Sequence, residues 1–314
     1  MDRFETSRGD SLNRGGGMIP AGDGKPAFTL CRRRPLPIPV LIAVPHAGRE
    51  YPLPLMRKMR HPDIAPIRLE DRMVDFVANE VARETGAALL VAHAPRAMID
   101  LNRSPDDVDW EMVEGRADSP GPRHAAGRRA RSGLGLVPRR LPGLGELWKS
   151  PLPRDELQAR IDLVHQPYHA ALARTLEAMR DRWGAALLID MHSMPPLGPK
   201  TGENAAVDFV IGDRFGGTCE SRLVMAGFDH LDAVGARSAH NRPYAGGYVL
   251  DRHGAPGRGV NAMQLEICRT AYLDKELRGP GAGLPDVVQI VTGLVRRMAD
   301  ELAGAPGGLA EAAE

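Results

Sequence analysis

The chain has 314 residues, of which 43% are hydrophobic and 26% charged, as in soluble globular proteins large enough to bury a core. A net charge of +1 and an aromatic content of 4% argue against a surface for nucleic acid or anionic membranes. The three cysteines lie far apart without a CxxC spacing, which excludes a disulfide framework and a cysteine zinc site. No apolar stretch reaches transmembrane length and none resembles a signal peptide, so we expect a cytoplasmic protein.

The polar N-terminal stretch, residues 1–36, contains the glycine run Gly15–Gly17 and predicts a flexible leader. Residues 37–303 predict a single domain. The Ala- and Gly-rich segment 304–314 predicts a frayed tail.

Four apolar runs predict buried strands that end in polar side chains. These side chains are His46 after Pro39–Val44, Asp100, Asn102 and Arg103 after Ala97–Ile99, Asp190 and His192 after Ala185–Ile189, and Glu266 within Ala262–Ile267. Such runs are typical of a parallel sheet, whose ligands lie outside the carboxyl ends of its strands. A single histidine at a strand end more often only hydrogen-bonds to the backbone. Its repetition on several strands favours a functional site.

Two further strands, Ala87–Val91 and Val207–Ile211, are predicted from short apolar runs. Helices are predicted by apolar residues at spacings of three and four over Leu69–Thr85, 154–183, 218–226 and 285–303.

Acidic and histidine side chains on the predicted helices have competing interpretations. Asp71 and Asp75 share a face near the start of one helix, where the helix dipole favours an acid with or without a function. His165 and His169 are four residues apart, on a helix where Pro167 predicts a kink or break. Because no Glu follows the first histidine, we interpret this pair as surface or packing residues and not as metal ligands.

The segment 104–153 is rich in Pro, Gly and Arg and has little periodicity. It predicts a long insertion, which is either a lid over the site or a partly mobile loop.

The residues at the strand ends can perform hydrolytic chemistry. Two histidines and a carboxylate with one open position form the ligand set of a hydrolytic zinc site, and His46 and His192 supply the histidines. A further carboxylate is then needed as general base, for which Glu266 is the candidate, although it could instead only pair with Arg269. Arginines nearby suit a substrate that carries a carboxylate.

The chain resembles the N-formylglutamate amidohydrolase family. The resemblance depends on six short motifs in order: Val44–Gly48, Asp71 with Asp75, Asp100–Arg103, Asp190–Ser193, Asn241–Gly247 and Gln264–Glu266. More distantly, it is similar to zinc carboxypeptidases and to the aspartoacylase and succinylglutamate desuccinylase group. The resemblance implies an α/β fold, a three-layer α/β/α sandwich of the phosphorylase/hydrolase-like type with a mixed, mostly parallel, eight-stranded central sheet. It also implies one divalent metal ion, zinc, and hydrolysis of an N-acyl amino acid.

The chain departs from its distant relatives at the acidic metal ligand. Those relatives have a His-x-x-Glu pair, whereas Arg49 stands where their Glu would be. The acidic ligand is then Glu50 or Asp71, and we favour Asp71, so the predicted metal ligands are His46, Asp71 and His192.

The predicted substrate-binding residues follow from the resemblance and from the charges. Asn102 and Arg103 are expected to hold the substrate, although Arg103 could instead form a structural salt bridge with Asp100 or Asp106. The remaining predicted contacts are a second cation, Arg242 or Arg269, and the loop residues Tyr244 and Gly246.

The sequence therefore predicts a metal-dependent amidohydrolase that cleaves an N-acyl, foremost an N-formyl, acidic amino acid, with Glu266 as its general base. The alternatives are a different N-acyl amino acid or small peptide amide as substrate, or a non-catalytic binding protein on the same fold. The expected partner is a small molecule, with no nucleic acid and no membrane, and the oligomeric state stays open. Ser193 is not a credible nucleophile, since no Gly-x-Ser-x-Gly motif surrounds it.

Overall fold

A computed structural model describes residues 10–115, 127–199, 202 and 206–304. Its strands are β1 (Asp10–Gly16), β2 (Phe28–Arg34), β3 (Val40–Val44), β4 (Ala88–Ala92), β5 (Arg140–Leu141), β6 (Gly145–Glu146), β7 (Ala186–Met194), β8 (Phe209–Gly212), β9 (Ser238–His240) and β10 (Val260–Cys268). Eight of them form one sheet in the order β1-β2-β4-β3-β7-β10-β8-β9. The pairs β3–β4, β3–β7, β7–β10 and β8–β9 are parallel, and the other three are antiparallel.

The helices lie on both faces of this sheet. They are α1 (Leu53–Lys58), α2 (Ala65–Leu69), α3 (Val74–Thr85), α4 (Arg128–Arg131), α5 (Arg154–Arg160), α6 (Gln166–Trp183), α7 (Ser221–Ala233), α8 (Tyr248–His253), α9 (Arg269–Tyr272) and α10 (Leu284–Ala303). No helix in these described ranges is long and apolar enough to cross a membrane.

Successive side chains of β7 point to opposite faces of the sheet, and both faces are buried. Leu188 belongs to the apolar cluster that contains Leu172 of α6, whereas Ile189 belongs to the cluster that contains Val77 of α3 and Val291 of α10. The strand is buried along its whole length, which explains why its sequence reads as a continuous apolar run. The predicted three-layer α/β/α sandwich with a mixed central sheet is confirmed.

The predicted flexible leader is wrong for residues 10–34. Strand β1 pairs with β2, and β2 pairs with β4, so this segment extends the central sheet. The half-buried and basic sequence of β2 is typical of strands near a sheet edge and lacks the apolar signal of a central strand. Residues 1–9 and 305–314 of the predicted leader and tail lie outside the described residues.

The predicted irregularity at Pro167 is a π-helical turn, Ile161–His165, that joins α5 to α6. Pro167 has no N–H for a bond to the carbonyl of Leu163. That carbonyl instead accepts a hydrogen bond from the backbone N–H of Met18 at 2.9 Å. The N-terminal segment thus satisfies a backbone group that the proline leaves free.

The predicted strand Ala97–Ile99 is wrong, because this buried segment is a turn. The N–H of Met98 bonds to the carbonyl of Pro95, which directs the chain back toward the sheet. The described parts of the insertion 104–153 pack against this turn. The N–H of Asp100 donates to the carbonyl of Leu136 at 2.7 Å, and Leu136 is fully buried.

Candidate active site

His46 is the second residue after β3, and its ring is buried at the carboxyl end of this strand. Nε2 lies 2.7 Å from Oδ1 of Asp100. A carboxylate oxygen accepts, so this nitrogen donates, and Nδ1 carries the lone pair of the neutral ring. Nδ1 has no hydrogen-bond partner and lies 3.4 Å from Oδ2 of Asp71.

His192 has the same arrangement on β7. Nε2 lies 2.8 Å from Oδ2 of Asp190, which shares its face of the strand, and Nδ1 lies 2.9 Å from Oδ2 of Asp71. The rings of His46 and His192 are 4.8 Å apart between centroids. The structure therefore brings both predicted histidines together, and each Nδ1 faces the same carboxylate oxygen.

Asp71 reaches the two histidines from a break between α2 and α3. The predicted continuous helix Leu69–Thr85 is wrong here, because Met73 adopts a left-handed backbone conformation with φ of 59°. In this break the N–H of Asp71 donates to the carbonyl of His46 at 2.9 Å. Asp71 therefore does not share a helix face with Asp75, which pairs with Arg49 instead.

Asp71 and the two histidines shift the pKa values of their neighbours. Burial alone would raise the pKa of Asp71, but the hydrogen bond from Nδ1 of His192 and the nearby imidazole of His46 hold that pKa well below its usual value. Burial alone would lower the pKa of His192, but Asp190 and Asp71 raise it well above its usual value. The arrangement therefore favours positive charge between the imidazoles and the carboxylate.

The residues fit a divalent metal ion. One ligand atom from each of His46, Asp71 and His192 lies within 4.8 Å of the other two, and all three side chains are buried. The unpartnered Nδ1 of His46 would gain a partner in the metal ion. The hydrogen bonds from Nε2 of His46 to Asp100 and from Nε2 of His192 to Asp190 fix the orientation of both rings, as is usual for histidines that bind a metal. Two nitrogens and one carboxylate oxygen form the ligand set of hydrolytic zinc sites.

Glu50, the alternative acidic ligand, lies elsewhere. Its side chain is exposed and pairs with Lys25, and it lines a surface cavity of about 520 Å³ together with Tyr51 and Arg57. Glu50 is not part of the cluster of His46, Asp71 and His192.

Glu266 lies beside His192, its direct partner in the parallel pairing of β10 with β7. Its buried carboxylate accepts a hydrogen bond from Nε2 of Gln264 at 2.9 Å. Burial, reinforced by the negative charges of Asp71 and Asp190, raises the pKa of Glu266 to about 7. A carboxylate with a pKa near neutrality is suited to proton transfer at neutral pH.

Arg269, the alternative partner of Glu266, bonds to other groups. Nε donates to Oγ of Ser193 at 3.0 Å, and Nη2 donates to the carbonyl of Glu70 at 2.6 Å. Nη2 also approaches Oδ1 of Asp71 at 3.4 Å. These contacts indicate that Arg269 helps to hold Asp71 in position.

Asn102 is buried beside the histidines. Its Nδ2 lies 3.3 Å from Nε2 of His192, and its Oδ1 accepts from the N–H of Val249 at 2.9 Å. A Cβ at Gly247 would lie 2.6 Å from Oδ1, so only glycine allows this close approach.

Arg103 is half-buried, and its guanidinium donates to the carbonyls of Leu134 and Asn102. It is Arg96 that forms the salt bridge with Asp100, from Nε at 3.0 Å and Nη2 at 2.9 Å. Arg96 was not among the predicted site residues, although the Arg-x-x-x-Asp spacing is visible before Asn102.

The three predicted substrate-binding residues of the loop between β9 and α8 differ in burial and conformation. Tyr244 is half-buried, and burial followed by the negative charge of Glu266 raises its pKa. Gly246 has φ of 104°, a conformation that favours glycine. Arg242 is exposed and makes no described contact with the cluster.

A second missed cation, Arg129 on α4, acts electrostatically on both Tyr244 and Arg103.

Comparison with known proteins decides the family. Residues 38–273 match the N-formylglutamate amidohydrolase family. The chain belongs to this family. It is therefore a hydrolase that acts on a linear amide bond.

Individual N-formylglutamate amidohydrolases are similar along most of the chain. An N-formylglutamate deformylase from Pseudomonas putida is 30% identical over 250 residues, covering 73% of this chain and 84% of the relative. Another from Pseudomonas aeruginosa PAO1 is 26% identical over 272 residues, covering 84% and 92%. The crystal structure of N-formylglutamate amidohydrolase from Ralstonia eutropha JMP134 is 33% identical, with a TM-score of 0.77 over 88% of this chain and 98% of that one.

Proposed function

We propose that this chain hydrolyses the formyl amide of N-formyl-glutamate to formate and glutamate, using a divalent metal ion, zinc, held by His46, Asp71 and His192. The observation that carries the proposal is the position of Glu266 beside His192, at the edge of a cluster whose donor atoms suit the metal. The activity in the names of the similar Pseudomonas and Ralstonia proteins supports the choice of substrate.

The bound ion would polarise the formyl carbonyl and lower the pKa of water to about 7. Glu266 takes the proton from the attacking water and delivers it to the departing amine nitrogen, a role that its position beside His192 supports. Water supplies the hydroxyl of formate, and the C–N bond breaks to release glutamate.

The substrate is held by its carboxylates. Asn102 and Arg103 lie on the turn that bonds to the site, and we assign them to the carboxylate nearest the amide. Arg129 is the better candidate for the second cation, because it is exposed, has no acidic partner among the described residues, and acts on both Arg103 and Tyr244. Arg269 is occupied by Ser193 and Glu70.

The test is a panel of N-acyl amino acids assayed with Glu266→Gln and the unchanged chain, each with its metal content measured. General acid–base catalysis contributes about 10²–10⁴-fold, so Glu266→Gln should lower kcat by at least about 10² with its metal retained. Near-normal turnover of N-formyl-glutamate by metal-loaded Glu266→Gln would contradict the mechanism. Faster turnover of a different N-acyl amino acid would contradict the substrate. An unchanged chain that binds these compounds without cleaving them would favour the alternative of a binding protein.

A further inference from the structure

Three histidines lie next to the turn that carries Asn102 and Arg103. We call His165, His169 and His253 the histidine cluster. All three are buried. Two belong to the continuous helical segment that contains α6, the third ends α8, and none takes part in the proposed reaction.

The cluster bonds to the backbone on both sides of Asn102. Nε2 of His169 lies 3.0 Å from the carbonyl of Leu101, and Nε2 of His165 lies 2.9 Å from the carbonyl of Arg103. His169 also contacts His253, with 3.0 Å between its Nδ1 and Nε2 of His253. Hydrogen bonds from the helical segment that contains His165 and His169 thus hold the residues before and after Asn102.

The bonds fix the positions of the protons. A carbonyl only accepts, so Nε2 of His169 carries a proton and, in the neutral ring, Nδ1 is an acceptor. Nε2 of His253 must then donate to it. This chain of bonds requires a neutral His169. Burial lowers the pKa of all three histidines, to about 4 for His253, which keeps the rings neutral at pH 7.

The cluster also connects to the Asn102 side chain. His253 and Val249 belong to the short helix α8, and the N–H of Val249 donates to Oδ1 of Asn102. Tyr248, at the start of α8, packs against His165 in a tilted arrangement and against His169 edge to face, with ring centroids 5.7 and 5.1 Å away. One packed unit therefore holds the backbone around Asn102 from α6 and its side chain from α8.

We infer that the histidine cluster positions Asn102 and Arg103 for substrate binding, through the two histidine–carbonyl hydrogen bonds and the contact between α6 and α8. The inference depends on the proposed function, in which these two residues hold the substrate. His165 and His169 are positioning residues, because they act through Asn102 and Arg103. A displacement of about 1 Å at a substrate-positioning group can cost about 10²-fold in rate.

The experiment compares three variants of the metal-loaded full chain. His165→Phe keeps a ring but removes the N–H that donates to the carbonyl of Arg103. His165→Gln keeps an N–H donor, the side-chain amide, for this carbonyl. His230→Phe is the matched control, since Nε2 of His230 also donates to a backbone carbonyl, that of Ile290 at 2.9 Å, in the contact between α7 and α10. For each variant we would measure kcat and KM for N-formyl-glutamate, the metal content and the melting temperature.

We expect His165→Phe to lower kcat/KM by about 10–100-fold, mainly through KM, while metal content is unchanged. His165→Gln should recover most of the loss. His230→Phe should lower the melting temperature by a similar amount without changing kcat/KM. In an Arg103→Ala background, His165→Phe should cost much less than alone, because both substitutions disturb the same contact.

Equal kinetic effects of His165→Phe and His230→Phe would overturn the inference and leave the histidine cluster a purely structural feature. So would a loss for His165→Phe that adds independently to that of Arg103→Ala. If the unchanged chain does not hydrolyse N-formyl-glutamate, the proposed function fails before the variants are compared.

Discussion

Nε2 of His46 donates to Oδ1 of Asp100 at 2.7 Å, and this bond turns Nδ1 of the same ring toward Asp71. Asp100 itself is fixed by Arg96 and by the backbone N–H of Asn102. One carboxylate therefore connects the proposed metal ligand to the proposed substrate-binding turn. Groups that orient a ligating histidine typically contribute about 10–100-fold to metal affinity.

We expect Asp100→Asn to weaken zinc binding by about 10–100-fold, because the amide orients His46 less firmly and carries no charge. The measurement is a zinc titration in competition with a chelator. Asp213→Asn is the control, since Asp213 also pairs with a histidine, Nε2 of His240 at 3.0 Å, outside the metal cluster. Equal affinities of Asp100→Asn and Asp213→Asn would contradict the role of Asp100.

The acidic metal ligand is tested by two matched substitutions. Asp71→Ala should abolish binding of one zinc ion per chain, because it removes the only carboxylate of the described cluster. Glu50→Ala should leave the metal content unchanged, since Glu50 is exposed and paired with Lys25. Metal analysis after purification without chelator gives the answer. Loss of zinc in Glu50→Ala alone would reverse the assignment.

The second substrate cation is tested by comparing Arg129→Ala with Arg242→Ala, since both side chains are exposed. Arg129→Ala should raise KM for N-formyl-glutamate several-fold or more, because hydrogen bonds to charged groups contribute about 1.5–3 kcal/mol. Its effect on an N-formyl amino acid with a neutral side chain should be small. Arg242→Ala should change neither KM. The opposite pattern would return the role to Arg242.

The histidine cluster should make the protein sensitive to acid. The folded state depresses the pKa of His253 from 6.5 to about 4, so the unfolded chain binds the proton first as the pH falls. The free energy of unfolding therefore decreases between pH 6.5 and about 4, by at most about 3 kcal/mol from this residue. Arg252 contributes to the depression by its positive charge, in addition to burial. His165 and His169 also face this region and titrate with depressed pKa values.

His253→Gln isolates this effect, because glutamine keeps an N–H donor for His169 but does not titrate. Urea unfolding at several pH values from 7.5 to 4.5 should show a shallower loss of stability for the variant than for the unchanged chain. Parallel pH dependences would show that His253 titrates normally in the folded protein.

The central strands and the residues at their ends could be predicted because their signals are local. The apolar runs before His46 and Asp190 are buried along their length, and two-residue spacing places Asp190 with His192 on one face. Direct pairing of Glu266 with His192 depends on the register of two strands far apart in sequence. The sequence could only suggest that both lie at the same edge.

Other features depend on contacts that no local pattern contains. The break before α3 depends on the left-handed Met73 and on the bond from Asp71 to His46, whereas the periodicity continues through it. Arg129 lies in a segment without periodicity, and its electrostatic effect on Tyr244 depends on how the insertion folds. His165 and His169 were interpreted as surface or packing residues; both are buried, and their carbonyl partners belong to a turn distant in sequence.

The two N-terminal strands have a practical consequence for choosing where the domain starts. The match to the N-formylglutamate amidohydrolase family begins at residue 38, and composition suggests the same boundary. A chain shortened to that point would lose β1 and β2 and leave β4 as the edge of the sheet. Strand β4, Ala-Leu-Leu-Val-Ala, is apolar throughout, and an exposed apolar edge of this kind pairs readily with other chains. The basic strand β2 thus acts as a barrier to aggregation, and expression should keep it.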